Sequence, residues 1–317
     1  MNIGIGIAFV LLWGGSTIVV ALGCSNDSYI YSEFCILFLF RSNNSQYNDN
    51  YPTLTTKSLW TPSTTDRSNT ADVGTELFTN PLVRKISFTG STAVGKLLMK
   101  QSSDTMKRLS LELGGNAPFV VFEDADLDQA VASAMVSKFR NAGQTCVCAD
   151  RFLVHSSIHD EFVKRLVEKV KGLVVGPGMD ATTTMGPLIL ADAVERTHEK
   201  VQLAIHQDGA TCVVGGTPLP ALGPQFYAPT ILTNVSNKDS LIWKTETFGP
   251  VVAIMTFDTE EEALEIANDC DVGLASYFCT NDLSRAFRFS ERCVLSFCCL
   301  CRLFGILSTF LILRVHS

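Results

Sequence analysis

PFVVFEDADLDQAVASAMVSKF, residues 118–139, decides how the rest of the chain is read. Residues 118–122 are short, apolar and rich in aromatic and β-branched side chains, the pattern of a buried strand. The period then changes. From residue 126 to residue 139 the apolar positions Leu127, Ala130, Val131, Ala134, Met135 and Phe139 recur at intervals of three and four, which places them on one face of a helix. The same alternation continues outward. Residues 83–88 read as a second buried strand and 251–257 as a third. Residues 158–173 read as a helix with Phe162, Leu166, Val167 and Val170 on its apolar side. Further helices are expected at 192–206 and 260–268, separated by Gly- and Pro-rich turns. Strands alternating with helices imply an α/β fold with a largely parallel sheet.

The chain has 317 residues, 46% of them hydrophobic, and a formal net charge of -7. That balance offers no basic face for phosphate backbones, so nucleic acid is not expected as a partner. Neither the spacing nor the setting of the 11 cysteines suggests a small disulfide framework, which favours a reducing compartment. Periodic patterning is confined to about residues 70–292. Residues 1–26 carry no charged side chain and are long enough to cross a bilayer. They lack the basic start of a signal peptide, however, and Gly4, Gly6, Gly14 and Gly15 weaken them as a helix. Residues 42–69 are rich in Ser, Thr and Asn. Residues 293–317 set Cys293, Cys298, Cys299 and Cys301 among Leu, Phe and Ile, interrupted by Arg302 and Arg314, and would make a poor membrane span. No membrane partner is expected.

Three segments carry chemistry. Residues 88–96, FTGSTAVGK, run from a strand through a glycine turn into a helix, where Gly90, Ser91 and Gly95 would let backbone approach a phosphate at a helix N-terminus. The triphosphate-loop reading fails because Leu97 stands where a Ser or Thr should hold magnesium, and the glycines are not spaced as in the dinucleotide fingerprint. A plain strand-turn-helix fits equally well. In residues 111–116, LELGGN, Glu112 lies between leucines. Apolar surroundings would raise its pKa and suit it to general-base work, although such a glutamate is commonly a strand residue with its head in water. In residues 143–148, GQTCVC, a loop thiol at Cys146 could attack a carbonyl beside backbone donors. Cys146 and Cys148 could equally be two core thiols. The five histidines are scattered and form no second ligand pair, so no metal is expected.

Taken together and in this order, these segments resemble the aldehyde dehydrogenase superfamily. FTGSTAVGK resembles its cofactor-binding turn, LELGGN its general-base segment, GQTC its nucleophile loop, and ETFGP at residues 246–250 its ribose-contacting segment. Residues 138–148, KFRNAGQTCVC, look most like the succinate-semialdehyde dehydrogenases within it. The resemblance covers roughly residues 69–291. It implies an aldehyde dehydrogenase-like α/β fold, with a partial Rossmann-type NAD(P)-binding domain at 70–115 and a catalytic α/β domain at 116–292. Residues 1–69 would be non-homologous and irregular, and 293–317 a non-homologous apolar tail.

The resemblance also implies roles. Cys146 would capture the aldehyde as a thiohemiacetal that is oxidised to a thioester, and Glu112 would activate the water that hydrolyses it. Arg140 would grip the distal carboxylate of succinate semialdehyde. NAD or NADP would be held by Gly90, Ser91, Gly95, Leu113, Glu246 and Phe248. Cys148 resembles a second thiol that in some members pairs reversibly with the nucleophile. The expected setting is GABA catabolism in mitochondria or cytoplasm, with a small aldehyde as substrate. The family's upstream Trp-Asn-Phe-Pro and Lys-Pro segments have no counterpart in residues 1–69, and its catalytic-domain ending and assembly strand have none in 293–317. Both ends are therefore expected to be foreign sequence. On that expectation activity would be impaired and the family's homo-oligomer incomplete. Rival readings are an inactive remnant, a membrane-tethered interaction protein, or a dehydrogenase for another small aldehyde.

Overall fold

A computed structural model describes residues 17–22, 34–40, 70–293 and 297–300, and gives side chains within 74–293. The chain divides by internal contacts into two compact units, one ending at Leu113 and the other beginning at Gly114.

The first unit contains strands β1 (Thr17–Leu22), β2 (Phe34–Phe40), β3 (Lys85–Thr89) and β4 (Arg108–Glu112) with helices α1 (Thr70–Thr79) and α2 (Thr92–Ser102). Its sheet runs β1-β2-β3-β4, antiparallel for the first two pairs and parallel between β3 and β4. A parallel pair needs a crossover, and α2 supplies it. In β3 the period of two buries Ile86 and Phe88, while in β4 it turns Leu109 and Leu111 toward the same small core, which also holds Leu77, Phe78, Val83 and Leu98. Strands β1 and β2 lie within the segment expected to be irregular. The rest of 1–69, including most of the bilayer-length stretch, lies outside the described residues.

The second unit is built on a seven-stranded sheet. Its strands are β5 (Ala117–Val121), β6 (Ala149–His155), β7 (Thr211–Val214), β8 (Thr230–Thr233), β9 (Val251–Phe257), β10 (Ala275–Cys279) and β11 (Phe297–Leu300), in the order β11-β10-β5-β6-β9-β8-β7. Every pairing is parallel except β7 with β8. Helices α3 (Leu127–Phe139), α4 (His159–Lys171), α5 (Ala191–His206), α6 (Leu241–Lys244), α7 (Glu260–Asn268) and α8 (Leu283–Arg292) alternate with the strands. A parallel sheet sandwiched by helices is buried on both faces, which is why β5 shows no alternation at all. Strand β11 falls inside the apolar stretch expected to be a tail, and residues 301–317 lie outside the described residues. Among the described residues no helix is long and apolar enough to cross a membrane.

Local sequence sets the helix ends. Asp126 caps α3 by accepting from the amides of Asp128 and Gln129, Thr259 caps α7 through Glu262, and Asp282 caps α8 through Ser284. At the centre of β6 the fully buried Arg151 donates to the carbonyls of Asn116 (3.1 Å), Ile266 (2.9 Å) and Ala267 (2.9 Å). Its guanidinium thereby ties the end of α7 to the start of β5, satisfying carbonyls that a helix leaves without partners.

Candidate active site

The thiol segment follows α3 directly. Arg140–Gly143 form a short 3-10 turn in which Asn141 (φ 53°), Ala142 (φ 52°) and Gly143 (φ 76°) are all left-handed. Two consecutive non-glycine residues in that region are strained, so the surroundings must hold them there. Gly143 lies so close to the Gly249 carbonyl that no Cβ fits, and Gly115 lies equally close to the Cys146 carbonyl. The Gln144 side chain donates to Asn141 O (3.0 Å) and Pro187 O (3.4 Å), while its oxygen accepts from Ile189 N (2.9 Å). From β10 the Tyr277 hydroxyl donates to Val147 O at 2.7 Å. The backbone on both sides of Cys146 is thus pinned, and its thiol is partly exposed.

Cys148 is different. It is buried, its thiol donates to Lys138 O at 3.6 Å, and burial pushes its pKa up to about 11 despite the nearby Lys138 ammonium. At neutral pH it is a thiol and a poor nucleophile. Its raised pKa disfavours the thiolate that the reversible pairing with Cys146 implied by the resemblance would need.

Glu246 of the ETFGP segment is half-buried and accepts from Gly115 N at 3.3 Å. Burial, reinforced by the Asp150 carboxylate, raises its pKa to about 7. Lys200 on α5 donates to the carbonyls of Glu246 (2.6 Å) and Thr245 (3.4 Å), and burial lowers its pKa. Phe248, half-buried, sits at φ 49° beside Gly249. Arg140 is exposed at the start of the 3-10 turn. Cys146, Cys148, Arg140, Glu246 and Phe248 therefore all belong to the second unit.

Gly90, Ser91, Gly95, Glu112 and Leu113 belong to the first. Glu112 is exposed at the end of β4, so this unit gives it none of the apolar enclosure expected from its leucine neighbours. The Gly90 amide donates to Glu112 O at 3.0 Å and is committed to the sheet. The Ser91 side chain caps α2 by accepting from Val94 N. A Cβ on Gly95 would come within 2.5 Å of the Leu113 side chain, so close packing of α2 on the chain after β4 accounts for that glycine without a ligand. The capacity to hold a phosphate rests with the Ser91 hydroxyl and the first-turn amides of α2. Among the described residues no group of His, Cys, Asp or Glu side chains could hold a metal ion.

A model of the aldehyde dehydrogenase family matches residues 67–298. The chain belongs to the aldehyde dehydrogenase family. It is 53% identical over 218 residues to the NADP(+) succinate-semialdehyde dehydrogenase 1 of Schizosaccharomyces pombe, covering 69% of this chain and 43% of that one. It is 52% identical over 227 residues to the human mitochondrial succinate-semialdehyde dehydrogenase, covering 71% and 42%. The crystal structure of succinate-semialdehyde dehydrogenase from Burkholderia pseudomallei superposes with a TM-score of 0.72 at 46% identity, over 76% of this chain and 49% of that one. The chain therefore spans less than half the length of these relatives. Both the family and the α/β fold expected from the four motifs are borne out.

Sequence reasoning passed over Lys138, Asp150, Lys200 and Tyr277 as site residues. Lys138 had a signal: it follows Ala134 by one helical turn on the buried stripe of α3, where a lysine needs a partner. Tyr277, on a strand that the sequence reading did not name, had none.

Proposed function

We propose that this chain carries the thiol chemistry of an NAD(P)-dependent aldehyde oxidation, with succinate semialdehyde as substrate and succinate as product. The observation that carries the reading is Cys146, a partly exposed thiol on a left-handed turn pinned from four directions. A nucleophile needs a fixed approach to its carbonyl, and such a turn provides it. The Cys146 sulfur, once deprotonated, adds to the aldehyde carbon to form a thiohemiacetal. Loss of hydride from that carbon leaves a thioester, and water then attacks it to release the acid and restore the thiol. The resemblance of LELGGN to the family's general-base segment gives Glu112 the role of taking the proton from this water. Arg140 offers the substrate's distal carboxylate two parallel charge-assisted hydrogen bonds.

Each unit taken by itself carries a group that suits one part of a dinucleotide. A half-buried carboxylate at Glu246 is an acceptor for ribose hydroxyls, and the capped N-terminus of α2 is a donor set for a pyrophosphate. NAD or NADP, when bound, supplies the hydride acceptor. A mitochondrial or cytoplasmic setting accords with this reading.

Substrate choice is tested at Arg140. Replacing it by Leu should raise the KM for succinate semialdehyde about 10- to 100-fold with little change in kcat, because roughly 1.4 kcal/mol accompanies each tenfold. An unchanged KM would instead point to a different small aldehyde.

A further inference from the structure

Lys138 and Asp150 meet in the interior, Nζ to Oδ1 at 2.7 Å, with side chains 0% and 1% exposed. Taking two charges out of water costs about as much as their attraction returns, and an apolar pair of similar volume commonly holds a fold as well or better. Stability alone therefore does not explain the pair. Its remaining polar atoms do. The second carboxylate oxygen of Asp150 accepts from Thr247 N at 3.4 Å, the residue after Glu246. The carbonyl of Lys138 accepts from the Cys148 thiol at 3.6 Å, on the loop that carries Cys146. Lys200 holds the Glu246 and Thr245 carbonyls from α5. Apolar side chains could fill this volume but could not hold the Thr247 amide.

We infer that the Lys138–Asp150 pair is a positioning strut that fixes the Glu246 segment in register with the Cys146 loop. Neither residue reacts; each acts through a neighbour. This inference rests on the reading of Cys146 as nucleophile and Glu246 as cofactor ligand. The charged and titratable groups around the Glu246 carboxylate are Asp150 from β6, Lys138 from α3, Lys200 from α5 and the Cys148 thiol, which stays protonated at neutral pH. Asp150 repels it and the two lysines attract it. NADPH binding should therefore strengthen as pH rises through about 7 and the carboxylate ionises. Removing Asp150 should move that midpoint down.

The test compares the parent chain with Lys138→Met/Asp150→Leu, which keeps the volume, and Lys138→Met/Asp150→Asn, which keeps an acceptor for Thr247. Three readouts are taken: melting temperature, iodoacetamide alkylation of Cys146 followed by mass spectrometry without cofactor, and NADPH affinity against pH by nicotinamide fluorescence. The strut predicts an apolar variant that melts close to the parent, with Cys146 alkylation and NADPH affinity each changed about tenfold. It predicts that the Asn variant recovers both the alkylation rate and the affinity, because the Asn side chain still accepts from the Thr247 amide. An apolar variant that folds and matches the parent in alkylation and affinity overturns it. If the apolar variant fails to fold, an Asn variant that folds yet stays about tenfold from the parent in Cys146 alkylation and NADPH affinity overturns it. A parent that neither binds NADPH nor reacts selectively at Cys146 overturns the functional reading together with the strut. Unchanged variants beside a reactive, NADPH-binding parent overturn the strut alone.

Discussion

At the scale of single residues, glycines separate packing from chemistry. Gly143 has φ 76° and its absent Cβ would strike the Gly249 backbone, whereas the Cβ of an alanine at 95 would meet only the movable end of Leu113. Gly143→Ala is expected to cost about 3 kcal/mol or more, and Gly95→Ala about 1 kcal/mol, measured by urea denaturation. Equal costs would contradict this assignment. Glycine content in the sequence marked Gly90 and Gly95 as a phosphate turn, but it could not tell a close helix-strand contact from a ligand cradle. That distinction depends on Leu113, which only the fold brings against Gly95. Glu246 gives a prediction in pH. Burial raises its folded pKa to about 7 from the ordinary 4.5. Between those values the unfolded chain has lost the proton that the folded chain keeps, so this group's contribution to stability falls as pH rises. Glu246→Gln should remove that fall, raising the melting temperature more at pH 7.5 than at pH 5. A larger gain at pH 5 would contradict it.

At the scale of elements, the helices were legible because their periods are written in apolar residues. Residues 126–139, 158–173, 192–206 and 260–268 were expected, and α3, α4, α5 and α7 begin and end within about two residues of those limits. Strands β3, β5 and β9 were legible for the same reason. What periodicity could not disclose is how polar side chains tie elements together. Arg151 carries no periodic signal in the sequence, yet in the fold it is fully buried and donates to the carbonyls at the end of α7. Arg151→Met is expected to destabilise by about 3–5 kcal/mol, because several buried carbonyls lose their donor at once. Tyr277→Phe should cost only about 1 kcal/mol, the value of one hydrogen bond. Its effect should appear instead in the alkylation rate of Cys146, since the lost bond is the one to Val147 O. A melting loss with unaltered Cys146 reactivity would assign Tyr277 to packing alone.

At the scale of the whole molecule, four short motifs in a fixed order disclosed the family before any fold was in view. Each motif alone was ambiguous: a thiol loop, a glycine turn, a glutamate between leucines. Their order was not, because together and in that order they resemble the aldehyde dehydrogenase family, to which the chain belongs. The strands at 17–22 and 34–40 were not legible, since those stretches carry apolar residues without the interleaved polar positions that reveal a period. The central claim is that Cys146 is the nucleophile of an aldehyde oxidation. The most direct test treats the purified chain with succinate semialdehyde and NADP, locates any covalent adduct by mass spectrometry, and follows nicotinamide absorbance in the same sample. The account predicts an adduct on Cys146 alone, none on Cys148, and reduced nicotinamide formed in step with acid. Adducts scattered over several cysteines, with no reduced nicotinamide, would contradict it.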